Sequence, residues 1–296
     1  MRSRSVSDIL TSPQADVISC SPISVSGYSD DALTTVASRL VDRGVLVTIG
    51  VGESQNYGPY YSYTGAAGEK VLAVTSIQVP TDFPDDNDGR AERNGNWGPL
   101  NDLSIKPDIS APGLNIVSTS LGQTWSNSWY GSEAAAAYVA GIAALYIGQF
   151  GGRKSNPNFD AAALAMRIMS SGSAIPFFDV TTGTPTTKNA PVAQVGCGLV
   201  NASKVLDYTT SLSFAKFELN DTHHFERYQK VDITNNAHVD VTYTFAVVPG
   251  VGFETWSTAD NRVILQGELV PIELNPRVTL PSGTFKIPSG KTKTAQ

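Results

Sequence analysis

Two glutamates, one serine and three histidines are the side chains whose surroundings suggest chemistry. Ser132 and Glu133 follow Gly131 at the entrance to a long apolar run, and Glu53 ends another apolar run, VLVTIGV-Gly52. A helix N-terminus entered through a tight glycine turn can present a nucleophile beside backbone donors. A serine hydrolase also needs a base to take the nucleophile's proton and an acid to orient the base. The only histidines are His223, His224 and His238, all far downstream, so Ser132 has no evident base. Glu53 and Glu133 could serve as a glycosidase-like carboxylate pair, but no sugar-binding aromatic pattern accompanies them. His223-His224 has no third ligand at useful spacing and fits two ordinary loop histidines. Met166 and Met169 fit core packing better than a ligand pair. The acidic DDNDG stretch fails the calcium-loop pattern, because Pro84 and Gly95 fall at its first and twelfth positions. No metal or cofactor is implied.

The element that must position Ser132 and Glu133 is Gly131 to Phe150, GSEAAAAYVAGIAALYIGQF, which carries no charge from Ala134 to Gly148. An all-round apolar helix belongs in a large core or a membrane. This run is mostly alanine and short of the roughly 20 apolar residues of a span, so the expectation is a buried central helix. Gly131 and Ser132 supply its turn and N-cap, and Glu133 suits the positive end of the helix dipole.

Around it, Ala15 to Ser19, Val45 to Val51 and Val71 to Val79 are apolar strands. Asp30 to Arg43 has helical spacing, with Ser29 or Asp30 as cap and Gly44 as stop. Buried strands joined through a helix predict a parallel sheet covered on both faces. Thr81 to Gly95 and Thr181 to Pro191 are breaker-rich and predict surface loops. Ile116 to Thr119 predicts a short strand, Phe159 to Ser170 a helix capped by Asn158 or Asp160, and Gln194 to Leu206 a last helix. From about Ser211 the texture turns to alternating Val, Thr, Tyr and Phe. Lys230 to Thr234 and Val239 to Val248 then predict a β-hairpin about Asn235 to His238.

Gly131-Ser132-Glu133-Ala134-Ala135-Ala136-Ala137-Tyr138-Val139-Ala140-Gly141 resembles the nucleophile motif of the subtilisin-like serine proteases, Gly-Thr-Ser-Met-Ala-x-Pro-x-Val-Ala-Gly. Residue on residue, Glu133 stands at the nucleophile and Ser132 at the threonine. Lys106-Pro107-Asp108-Ile109-Ser110-Ala111-Pro112-Gly113, after Trp97-Gly98-Pro99, resembles the block that precedes that motif and is structural. Leu40 to Gly52 with Gly58, Pro59 and Ala66 to Val74 resembles the oxyanion-hole block, with Glu53 in the asparagine's place. An amide N–H can donate to an oxyanion, whereas an ionised carboxylate can only accept. The resemblance implies that the Asp and His blocks belong N-terminal to Ala15, where only MRSRSVSDILTSPQ stands. It implies a subtilisin-like peptidase, of a family secreted from the cell, with none of the Asp, His or Ser of the triad intact.

The resulting expectation is an α/β domain over 1–210, with an incomplete, mostly parallel subtilisin-like sheet flanked by helices. A partial all-β segment resembling a fibronectin-III-like sandwich follows over 211–296. A 296-residue chain that is 41% hydrophobic can bury such a core. Its net charge of −6, without a basic run, argues against nucleic acid. No segment reads as a membrane span or a signal peptide. Cys20 and Cys197 leave one bridge or two free thiols open, and Asn201 and Asn220 are sequons for N-glycosylation in a secretory setting. The leading functional reading is a non-catalytic homologue or fragment. The alternatives are a partial chain of an active secreted endopeptidase, and a binding protein that takes a polypeptide in the former cleft. A part-formed domain should also leave a sheet edge and an apolar helix face uncovered.

Overall fold

Alternation of apolar strand and amphipathic helix is what the first third of the chain folds into. In the computed structural model, residues 15–21, 24–53, 59–79, 90–91, 95–119, 127–179, 184–217, 219, 222–265 and 268–296 are described. Strand β1 (Val17–Cys20) runs parallel to β2 (Leu46–Gly50), β2 to β3 (Leu72–Gln78), and β3 to β4 (Ile109–Pro112). Helix α1 (Ala32–Asp42) makes the crossover between β1 and β2. Asp31, rather than Ser29 or Asp30, caps it by accepting the Thr34 N–H at 3.0 Å.

Side-chain alternation divides the strands between two cores. Val45, Val47 and Ile49 join Ala37, Leu40 and Val41 of α1 on one face. Leu46, Leu72, Val74 and Ile109 meet Ala135, Ala136, Val139, Ile142 and Ala143 of the central helix α2 (Ser132–Phe150) on the other. The parallel, doubly covered sheet follows from strands that are apolar on both faces. Helix α3 (Ala161–Ser170) completes the second core; Asp160 caps it, and Met169 packs against that core.

Several sequence expectations require correction. The central helix is buried on one face only: Ala137, Tyr138, Gly141, Ala144 and Leu145 point outward, and Leu145 is 61% exposed. By length and composition it would suffice to cross a membrane, yet its inner face is packed on the sheet. The two loops hold strands. Arg90–Ala91 pairs antiparallel with the end of β3, while 80–89 and 92–94 lie outside the described residues. Thr184–Asn189 pairs with Pro176–Asp179, so backbone pairing outweighs a Thr/Pro-rich composition. The last helix is two short ones, Val192–Val195 and Ala202–Asp207. Gly196 and Gly198 separate them at φ of 59° and 89°, a conformation that glycine adopts without strain.

The expected hairpin does not form. Val231–Asn235 pairs with Thr210–Leu212 and Thr292–Ala295, whereas Val241–Tyr243 pairs with Phe285–Ile287. Asn235 forces the separation, because its side-chain amide donates to Val239 O at 2.8 Å and to Ile287 O at 2.9 Å. The chain after Thr210 is thus a set of small antiparallel sheets. These do not stand apart from the α/β part: Phe253 packs edge-on against Trp97 and Phe177, at ring distances of 5.1 and 5.6 Å. Cys20 and Cys197 are free thiols, and burial, then the charge of Asp108, pushes Cys197 up to about 11.

The Lys106-Pro107-Asp108 segment carries a buried charge cluster. Lys106 Nζ donates to Asp108 Oδ2 and to Val71 O, both at 2.7 Å, and Lys216 Nζ reaches Asp108 Oδ1 at 2.9 Å. The Ala73 N–H also donates to Asp108 Oδ2, at 2.8 Å. Burial alone would raise the Asp108 carboxyl, but the two ammonium groups and the hydrogen bonds hold it below its usual range. Asp108→Ala would leave Lys106 buried without its carboxylate. It should cost about 3–5 kcal/mol in chemical denaturation. Separately, Tyr138→Ser with Leu145→Ser should lower binding of a hydrophobic dye while changing the melting temperature little, because both side chains are largely exposed, at 47% and 61%.

Candidate functional site

The site is built where the end of β2 meets the start of α2. Gly50 permits this contact, since a Cβ there would meet Ser132 Oγ at 2.5 Å and Glu133 N at 2.9 Å. Ser132 is fully buried, and its hydroxyl accepts the Gly52 N–H at 2.8 Å, tying the helix to the loop that follows the strand. Ser132 is therefore a helical residue and not the cap. Gly131 occupies the N-cap at φ 119° and makes no side-chain cap bond. The Gly131 N–H donates to Gly113 O at 2.8 Å, so the Ala111-Pro112-Gly113 turn fixes the approach to the helix. Asn96 holds the other side, donating from its amide to Val51 O and from its backbone to Gly52 O, both at 2.8 Å.

Glu53 and Glu133 converge on this frame. A Cβ built on Gly131 would meet Glu133 Oε2 at 2.8 Å and Glu53 Oε2 at 3.0 Å, so both carboxyl groups face the glycine that opens the helix. Glu53 Oε1 also accepts the Ser132 N–H. Burial, then the charge of Glu133, raises the Glu53 carboxyl from 4.5 to about 7, against the opposing pull of Ser132. The Tyr63 ring lies over Gly52, and its hydroxyl bonds the Glu53 backbone. Burial and the two carboxylates, Glu133 before Glu53, raise that phenol as well.

The other sequence candidates are dispersed. Gly141 is on the exposed side of α2, and Lys106, Pro107 and Asp108 lead into β4. Asn201 caps Ala202–Asp207 by accepting the Lys204 N–H at 2.9 Å, and Asn220 lies outside the described residues. His223, His224 and His238 are exposed and belong to the C-terminal region. Among the described residues no group of three His, Cys, Asp or Glu is arranged to hold a metal. Sequence reasoning missed Tyr63, which nothing in its local sequence marks, and Lys216, whose partner is 108 residues away. Chemically, two ionisable carboxyl groups face the helix N-terminus, and one of them, Glu53, takes the Ser132 N–H, a donor otherwise free for a ligand.

A parallel α/β sheet whose central helix is entered through a glycine turn beside a strand end is a known peptidase scaffold. The Subtilase family's sequence profile matches residues 4–198, and the chain belongs to that family. Bacillopeptidase F of Bacillus subtilis (strain 168) is 33% identical over 161 residues, which is 54% of this chain and 9% of that protein. Subtilisin-like protease 1 of Pseudogymnoascus destructans is 30% identical over 155 residues, 51% of this chain and 32% of its own. The chain thus spans about a third or less of these relatives. Among solved structures, the patellamide maturation protease PatA is similar at a TM-score of 0.51 and 21% identity, over 68% of this chain and 65% of that one. The prenylagaramide maturation protease PagA is similar at 0.51 and 20%, over 68% and 64%. These two share the fold.

Gly50→Ala tests the frame. The new methyl would press on the backbone of Ser132 and Glu133, so the variant should lose about 1–3 kcal/mol in denaturant unfolding.

Proposed function

We propose that this chain is a subtilase homologue without serine-peptidase activity, whose cleft takes a polypeptide segment as a ligand and not as a substrate. The observation that carries this reading is the carboxyl pair at the start of the central helix. Glu133 stands where the family motif places its nucleophile, and a glutamate there cannot be activated as a serine hydroxyl is. Glu53 stands at the oxyanion-hole position, where it presents acceptor oxygens to a carbonyl that would need donors. Its carboxyl already occupies the Ser132 N–H. The three histidines, all exposed and in the C-terminal region, lie downstream of the motif, where the family's base does not stand.

Family membership supports a polypeptide as ligand, since the relatives are proteases by name. We further propose the division at residue 210, with the small sheets of 211–296 forming a partial fibronectin-III-like sandwich. The pairing of Thr210–Leu212 with Val231–Asn235 supports it, and the packing of Phe253 on Trp97 means that the two parts share a core.

A fluorophosphonate probe should leave the native chain unlabelled. Glu133→Ser, alone or with Glu53→Asn, should also stay inactive on a generic peptide substrate, because no histidine is placed to deprotonate the new hydroxyl. Turnover by either variant, abolished by a serine-directed inhibitor, would overturn the reading.

A further inference from the structure

Away from the two glutamates, the chain encloses a polar cavity of about 880 Å3 that shares no lining residue with their site. Helix α1 supplies one wall. Its apolar residues Ala37, Leu40 and Val41 pack against the sheet, so Thr35, Ser38 and Arg39, at helical spacing, turn to the cavity. The segment after Thr210–Leu212 brings Phe214 and Gln229 to it, and the loop before β4 brings Asp102 and Ser104. Leu103, between these last two, stands at φ 67°, a left-handed conformation that a bulky residue rarely adopts and that recurs at binding sites. The Asp102 carboxylate is thereby held in place. Its Oδ1 accepts the Ser104 N–H and hydroxyl at 3.0 and 2.6 Å, and its Oδ2 accepts the Ser29 hydroxyl at 2.9 Å.

Charge does not select an ion here. Lys106 and Lys216 line the cavity but donate to Asp108. With Arg39 they make three cations, set against the four carboxylates of Asp108, Glu69, Asp102 and Glu226. The signs nearly cancel. Arg39, in the last turn of α1, has no ion-pair or hydrogen-bond partner among the described residues, so its guanidinium donors are open. Apolar lining is confined to Ala67 and Phe214, which leaves little to bury an apolar peptide side chain. Phe214 rests against Phe217 with ring centroids 4.7 Å apart.

We infer that this cavity binds a neutral oligosaccharide. The Arg39 guanidinium and the Asp102 carboxylate each offer a pair of donors or acceptors that matches two neighbouring sugar hydroxyls. The hydroxyls of Thr35, Ser38 and Ser104 donate or accept as the sugar requires. The electron-rich face of the Phe214 ring suits the C–H face of a pyranose. The inference does not depend on whether the former substrate cleft holds a polypeptide.

The test titrates the full chain with cellotetraose, mannotetraose and N-acetylated chitotetraose, read by amide NMR shifts and calorimetry. At least one sugar should bind with a Kd on the order of 1 mM or tighter, and Phe214→Ala and Arg39→Ala should each weaken it about tenfold. Arg39→Lys should bind as weakly as Arg39→Ala, because an ammonium keeps the charge but loses the fork. Arg39 is exposed on the helix surface, so its variants still decide the matter if Phe214→Ala does not fold. Failure of all three sugars to bind, or binding untouched by the Arg39 variants, overturns the assignment. Preference for an acidic peptide or a charged sugar, with full rescue by Arg39→Lys, overturns it as well and marks an anion site instead.

Discussion

The buried carboxylate of Asp108 is the constraint from which the α/β part is hung. One oxygen takes the Lys106 ammonium and the Ala73 N–H of β3, and the other takes Lys216, which lies between the paired strands Thr210–Leu212 and Val231–Asn235 of the C-terminal region. Lys106 in turn reaches Val71 O just before that strand. A lone buried charge costs several kcal/mol, so each member of this cluster is tolerable only while the others are in place. It sets where β4 begins, hence where Pro112 and Gly113 turn, and hence where Gly131 admits the central helix. The charge cluster and the carboxyl pair are thus at opposite ends of one short strand.

Strand and helix identities in the α/β part were legible because runs such as VLVTIGV and VLAVTSIQV are apolar on both faces. The N-terminal helix declared itself by spacing, and its cap was misplaced by only one residue. What periodicity could not give was which sides of the central helix would be covered. Its sequence is apolar on all faces, but coverage depends on neighbours, and the sheet supplies them on one side. The C-terminal pairing was misread for a related reason. Two strands joined by Asn235 to His238 suggest a hairpin, whereas Asn235 spends its amide on Val239 and Ile287 and splits them between sheets.

Of the site, Glu53 and Glu133 were found by motif position, 80 residues apart in sequence and brought together because Gly50 lets the helix start touch the strand. The charge that Glu133 exerts on Glu53 follows from that contact. Tyr63 was not legible, since only the fold lays its ring over Gly52. The motif itself indicated what is missing, while the structure indicates what fills the gap: a side chain of the protein's own on the helix N–H.

The frame of the site is made of backbone and small residues, namely Gly50, Gly52, Gly113, Gly131 and the buried Ser132 hydroxyl. None of its hydrogen bonds uses the carboxylate of Glu133. The frame is therefore assembled without the side chain of residue 133. Foldability and reactivity are consequently separable properties here. A cell that judges chains by whether they fold has no means of reading which side chain stands at residue 133, so a change of role at this position could begin without any loss of the fold.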